Sequence, residues 1–193
     1  MKKLLIIATL LVLGAAMYAL TFRVEAKTSD EAEITALEHH LMSSIRTKDL
    51  DGVMSIYVPD GSLIVFDVIP PRQYVGASAY REDWKSVLAS FNGPITAEMT
   101  DLTISSSDNL GFGHSIQHIT GTDRSGKNVD WTFRVTDCYR KIKGKWLIVH
   151  EHYSVGDQPE GKEPFAIMAA ILHRPVIIGP ETGSPQLRII QTV

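Results

Sequence analysis

One cysteine, Cys138, is all the thiol chemistry this chain contains. A lone thiol cannot close an intramolecular disulfide, so stability must come from a packed core in any compartment. It also excludes a zinc ribbon and a thiol–disulfide exchange pair. Positive charge is scarce, with a formal net charge of −3 at pH 7. Binding to a polyanion needs a clustered basic excess, so no nucleic-acid partner is expected. There is no phosphate-cradling glycine loop, no nucleophile elbow and no zinc-ligand spacing, and neither cofactor nor metal is expected. What remains is ordinary for a globular protein: 193 residues, 44% hydrophobic and 21% charged, about one domain with material for a real core.

The one long apolar run is residues 4–20, behind Lys2 and Lys3 and followed by Val24-Glu25-Ala26. Small residues at the last and third-last positions suit a signal peptidase, which predicts an export signal over residues 1–26 and a periplasmic or secreted protein. Seventeen apolar residues also sit at the lower edge of what spans a bilayer, so an uncleaved anchor is the alternative, and only then is a membrane a partner. Cleavage after Ala26 leaves 16 basic and 21 acidic residues, a net charge of −5.

Residues 29–45 carry Ile34, Leu37, Leu41 and Ile45 at helical spacing, with Ser29 or Asp30 as cap. Asp49 starts a second, shorter helix that Pro59-Asp60-Gly61 ends. Residues 62–68 read as a strand closed by Pro70-Pro71, neither of which can donate to a ladder. A third helix follows Gly76, capped by Ser78, with Tyr80, Trp84, Val87, Leu88 and Phe91 on its apolar face. From Gly93 onward the pattern is strand: residues 96–105, then 110–120, then two long strands over 131–154. The order α-α-β-α-β-β-β-β predicts an α+β domain over residues 27–156, helices on one face of a curved antiparallel sheet. Residues 157–193 read as a polar linker (157–164), a short apolar segment (165–172) suited to a docking helix or a partner contact, and a proline-spaced tail.

The last hairpin concentrates the ionisable and aromatic side chains. A two-residue turn at Lys143-Gly144 needs positive φ at both positions, which Lys tolerates poorly; a three-residue turn, Ile142-Lys143-Gly144, needs it only at Gly. The three-residue turn is expected. It pairs Lys141 with Lys145, Tyr139 with Leu147, Asp137 with Val149, Val135 with Glu151 and Phe133 with Tyr153. Alternation then puts Phe133, Val135, Asp137, Tyr139, Leu147, Val149, Glu151 and Tyr153 on one face, and His150 and His152 on the other with Arg134 and Thr136. The two-residue turn would instead set His150 opposite Asp137 as a dyad. His150 and His152 share a face as a metal pair would, but no third ligand is evident, and burial in a sheet or dimer contact is the competing role. His114 and His118 share one face of their strand, which the loop before the hairpin leaves unplaced.

The segment from Asp49 to Asp60, the strand before Gly76 and the ending Gly144-Lys145-Trp146-Leu147-Ile148-Val149-His150-Glu151-His152-Tyr153-Ser154 resemble the nuclear transport factor 2-like superfamily. Within it the chain is similar to the SnoaL-like or ketosteroid-isomerase-like group, and its ending to the association domain of calmodulin-dependent kinases. The resemblance implies a cone: a curved antiparallel sheet wrapped around three N-terminal helices, one deep pocket, and a homodimer through the outer sheet face. It implies that the face holding position 133 lines the pocket. The group's isomerases place a base near Val65, a protonated aspartate near Phe133 and a tyrosine near Ser43, and none of these matches; Asp67 lies two residues on from the first.

A pocket of that kind holds an apolar small molecule with a few polar contacts. Asp137 and Glu151, diagonal on neighbouring strands, are the candidate catalytic pair, because two carboxyls in an apolar cavity push at least one pKa toward neutrality. The competing role is ion pairing with Arg134, Arg140 or a helix-borne cation. Tyr139, Tyr153, Trp84 and Tyr57 are the candidate ligand-binding residues, with Tyr80 also closing the pocket. The expected function is a cofactor-independent isomerase, cyclase or dehydratase; the alternative is a non-catalytic dimerisation or interaction module.

Overall fold

The structure, a computed structural model, describes residues 2–156, 176–178 and 188–190. Its first element is one continuous helix, α1 (Lys2–Thr47). The helix start expected at Ser29 or Asp30 is not there. No Gly or Pro precedes those residues within a dozen positions to break the helix, and the Asp30 carboxylate is engaged elsewhere, by Lys141 Nζ at 2.5 Å and Trp146 Nε1 at 3.2 Å. Among the described residues no helix is long and apolar enough to cross a membrane. The helix ends where Lys48 turns to φ 55° and its N–H bonds back to the Ile45 carbonyl. Asp49 then caps α2 (Leu50–Met54) by accepting from Gly52 N at 2.9 Å.

After α2 come β1 (Ile64–Phe66), β2 (Tyr74–Val75) and α3 (Ala77–Ser90). The two-residue β2 escapes any sequence periodicity; it pairs antiparallel with β1 across the Pro70-Pro71 corner. Gly76, at φ 86°, precedes α3, so the helix begins at Ala77 and Ser78 lies inside it rather than at the cap. Then follow β3 (Thr96–Ser107), β4 (Leu110–Thr122), β5 (Asn128–Ile142) and β6 (Lys145–Ser154). The six strands form one sheet in the order β2-β1-β6-β5-β4-β3. Every pairing is antiparallel except β1 with β6, which is parallel and sets Val65 beside Glu151. The fold is thus the expected α+β class, an open curved sheet with the helices packed into its concave side. Ile34, Leu41, Met42 and Ile45 of α1 and Tyr80, Trp84 and Leu88 of α3 are buried there. In the tail, β7 (Val176–Ile178) pairs antiparallel with β8 (Arg188–Ile190); residues 157–172, read above as linker and short apolar segment, lie outside the described residues.

The β5–β6 hairpin departs from its expected register. Ile142 pairs with Lys145, leaving a two-residue turn with Lys143 at φ 52° and Gly144 at φ 80°, the type I′ geometry whose twist matches the flanking strands. Near the turn, Trp146 and Ile148 therefore point inward, not Leu147 and Val149. A bulge then restores the phase: Tyr139 pairs with Ile148, but Cys138 pairs with His150, so Val149 is the extra residue. Beyond it Glu151 and Tyr153 face the core, while His150 and His152 face out. Asp137 stands directly opposite Glu151, not diagonal to it and not opposite His150.

Candidate functional site

The interior face of β5 and β6 holds two carboxyls side by side, Asp137 (2% exposed) and Glu151 (0%). A third, Glu38 (0%), comes down from α1. Their hydrogen-bond partners are phenols and one another. Tyr80 donates to Glu151 Oε2 at 2.6 Å, Tyr57 to both oxygens at 3.0 and 3.1 Å, and Tyr153 to Oε1 at 3.2 Å. Tyr139 donates to Glu38 Oε1 at 2.8 Å, while Asp137 shares a hydrogen bond with Glu151. Arg134, expected as a competing ion-pair partner, bonds instead to the Val155 carbonyl at 2.6 Å, on the exposed side. Arg140 is exposed as well.

Backbone geometry makes room for this cluster. The Tyr139 ring crosses over β4 at Gly111 and Gly113, whose Cα atoms sit opposite Tyr139 and Asp137. A Cβ at Gly113 would lie 2.9 Å from the Tyr139 hydroxyl and 3.1 Å from the Thr103 carbonyl, so any side chain there displaces the phenol from Glu38.

Burial dominates the electrostatics. Stripped of water, a carboxylate is disfavoured unless a cation offsets the loss. Glu151 is pushed up to about 8, although three phenols bonding to its charged form pull the other way. Glu38 is pushed up to about 7, again by burial, with Tyr139 opposing. Asp137 rises well above the usual carboxylate range through burial first and the neighbouring Glu38 and Glu151 second. The phenols of Tyr57, Tyr80 and Tyr153 are raised too, by burial and the facing carboxyls, so they remain donors at any physiological pH.

A cavity of about 40 Å³ opens next to this cluster. Its aromatic wall is Tyr80, Trp84, Trp131, Phe133 and Tyr153; Asp67 and Asp83 bring carboxyls to it, and Val87 and Ile119 complete it. The Phe133 and Tyr153 rings meet edge-on, 5.5 Å apart at 87°. Tyr74 donates to Asp83 Oδ1 at 2.7 Å, and Val68 N to Asp67 Oδ1 at 2.6 Å. The Trp84 indole N–H is buried with no partner among the described residues, an unfulfilled donor in the cavity wall. Tyr80 and Tyr153 belong to both structures. Each lays its ring against the cavity and its hydroxyl on Glu151.

The expected site residues therefore separate. Trp84 and Tyr153 line the cavity; Asp137, Glu151, Tyr57 and Tyr139 lie behind its wall in the carboxyl cluster. His114 and His118, with exposed or half-buried side chains, face outward, and His118 Nε2 lies 2.9 Å from Asp130. His150 Nδ1 lies 2.9 Å from the Ile64 carbonyl, and Phe66 packs edge-on against both His150 and His152. Among the described residues no group of three or more His, Cys, Asp or Glu is placed to hold a metal ion. Sequence reasoning missed Glu38, Asp67 and Asp83 as site residues. Glu38 had a signal: it falls four residues after Ile34 and three before Leu41, inside the apolar stripe of α1. Asp83 likewise interrupts the stripe of Tyr80, Trp84 and Val87.

The model of the SnoaL-like domain matches residues 34–158, which is most of the fold just described. The chain belongs to that family. A nuclear transport factor 2-like protein of unknown function from Pseudomonas putida KT2440 is 30% identical, over 69% of this chain and 91% of that one, with a TM-score of 0.60. A candidate dehydratase of the same superfamily from Streptomyces avermitilis is 13% identical, over 68% and 99%, TM-score 0.60. The association domain of calmodulin-dependent kinase II from C. elegans is 16% identical, over 68% and 99%, TM-score 0.53. The last two likenesses carry the fold alone. No curated protein matches the chain.

Proposed function

We propose that this SnoaL-like domain binds a small, mostly apolar molecule in the aromatic cavity and acts on it by general acid–base chemistry without a cofactor, as an isomerase, cyclase or dehydratase. The observation that carries this reading is the double role of Tyr80 and Tyr153, ring on the cavity and hydroxyl on Glu151. With Glu151 ionised, both phenols donate to it. Protonated, Glu151 has one hydrogen of its own to give, so a phenol can accept from it and turn its own hydrogen toward the cavity. A carboxyl pushed up to about 8 makes that exchange accessible near neutral pH. Asp67 supplies the carboxylate that stands at the cavity itself and is the base in this scheme. Asp137, raised well above the usual carboxylate range, and Glu38, raised to about 7, influence the proton count of Glu151 through their charge.

The outer face of the sheet favours a second copy as partner. Leu110 and Phe112 are each 54% exposed there, an apolar surface a second copy would cover. A non-catalytic interaction module is the reading in which that face is the whole function. Export with cleavage after Ala26 completes the proposal.

Native mass spectrometry of the chain exported by its own N-terminal segment tests all of this in one preparation. The expected result is a dimer of subunits beginning at Lys27 that retains a small organic molecule, the retention being lost in Trp84→Ala. A dimer that retains nothing from cell extract before or after Trp84→Ala would favour the interaction module. Monomers would remove the outer-face partner, and a subunit mass that includes residues 1–26 would remove the cleavage.

A further inference from the structure

The charged side chains of the aromatic cavity are of one sign. Asp67 and Asp83 both line it, and among the described lining residues there is no Lys, Arg or His. Nor is there a basic side chain among the buried polar groups of the described residues, which include Glu38, Asp83, Asp137 and Glu151. The two acids come from different elements, Asp67 from the chain just past β1 and Asp83 from the middle of α3. Asp83 Oδ1 accepts from the Tyr74 hydroxyl and Asp67 Oδ1 from Val68 N, so each carboxyl is held at the wall. The charge of Asp67 is felt by Tyr80 and Tyr153, two rings of the same wall, and helps to raise both phenols. Asp67 and Val87 are half-buried rather than buried, so the lining reaches the surface on their side.

Most of the remaining wall is rings, with Trp84, Trp131 and Phe133 among them. The face of an aromatic ring carries negative charge density and attracts a cation, Trp most strongly. Rings and carboxylates therefore select the same sign of charge, and an anion finds no counter-charge inside. A cation must still leave water to enter. An ammonium rich in N–H gives up strong hydrogen bonds to water on the way, whereas a methylated one gives up few and presents methyl groups to the rings. Size agrees with such a head. A cavity of about 40 Å³ has room for roughly three water-sized groups, which suits methyl groups clustered on one nitrogen.

We propose that the cavity recognises an organic cation, whose methylated ammonium head lies against Trp84, Trp131 and Phe133 with Asp67 and Asp83 as its counter-charges. The remainder of the ligand leads out past Asp67 and Val87. The bound cation in turn favours the ionised form of the carboxyls beside it, which keeps Asp67 in the form that a base requires. This deepens the cavity reading above by naming the ligand class, and rests on it.

Choline and 3,3-dimethylbutan-1-ol are matched probes: they share shape and hydroxyl, and differ in a quaternary nitrogen that is carbon in the alcohol. Binding to the purified full chain is read by tryptophan fluorescence and checked by calorimetry. Choline should bind about tenfold or more tighter than the alcohol. Asp67→Asn keeps the shape of the side chain and removes its charge. It should cut the preference for choline by about threefold or more and leave the affinity for the alcohol unchanged. Equal affinity for the two probes in the unaltered protein overturns the cationic ligand and leaves the cavity reading intact. That comparison stands whether or not the variant folds. A preference undiminished in an Asp67→Asn protein that still binds the alcohol overturns the counter-charge assignment. Failure of both probes to bind the unaltered protein overturns the cavity reading together with this one.

Discussion

Glu151 is a carboxyl placed where water cannot solvate its charge and where no cation replaces the water. The consequence for stability has a definite sign. A carboxyl whose pKa is higher folded than unfolded holds its proton more tightly in the native state, so the unfolded state loses protons first as pH rises. The cluster therefore favours folding fully below about pH 4 and loses that advantage as pH climbs from the ordinary 4.5 to about 7 for Glu38 and about 8 for Glu151. At roughly 1.4 kcal/mol per pKa unit, coupled groups of this kind move stability by on the order of a few kcal/mol across that window. Asp30, lowered by its hydrogen bond from Lys141, works in the opposite direction, but its contribution is lost only as pH falls below the ordinary carboxylate range. Thermal melts should show a higher melting temperature at pH 5 than at pH 8, and Glu38→Gln and Glu151→Gln should each flatten the slope. A slope unchanged in both variants would mean that these groups do not titrate differently on folding.

At the scale of elements, the β5–β6 hairpin decides which side chains meet. Its alternation was legible: Phe133, Val135, Asp137 and Tyr139 all point inward as the period-2 pattern requires. Its turn was not, because an unfavourable Lys in the left-handed region argued for a longer loop, and the long ladders on either side outweigh that local cost. Nor was the bulge at Val149, which carries no glycine and answers to the curvature of the sheet. The two displacements cancel beyond Cys138, so the inward placement of Glu151 and Tyr153 emerged from a wrong turn followed by an unseen correction. Lys143→Asn tests the turn, since Asn tolerates positive φ at little cost. It should stabilise the protein by roughly 0.5–1 kcal/mol, read from the midpoint of urea unfolding. Destabilisation would show that Lys143 is held by something other than a type I′ turn.

For the whole molecule, the α+β class was legible from local patterns of spacing and turn chemistry, and the cone from the resemblance carried by the helix–helix opening and the closing strand. The parallel pairing of β1 with β6 was not, as it joins residues more than eighty positions apart. The site shows the same division. Asp137 and Glu151 could be read from one hairpin, whereas Glu38, Asp67 and Asp83 arrive from three other elements and are joined only by the fold. What the fold joins is the central claim: three buried carboxyls, all raised above the usual carboxylate range, stand behind an aromatic-lined cavity, with phenols bonded to Glu38 and Glu151. Carbon-13 NMR of the glutamate side-chain carboxyls across pH 3 to 10 tests it most directly, with Glu38→Gln and Glu151→Gln to assign the signals. Two glutamate carboxyls should titrate late, near 7 and near 8, each vanishing in its own variant; a spectrum in which every glutamate titrates between about 4 and 5 would contradict the account.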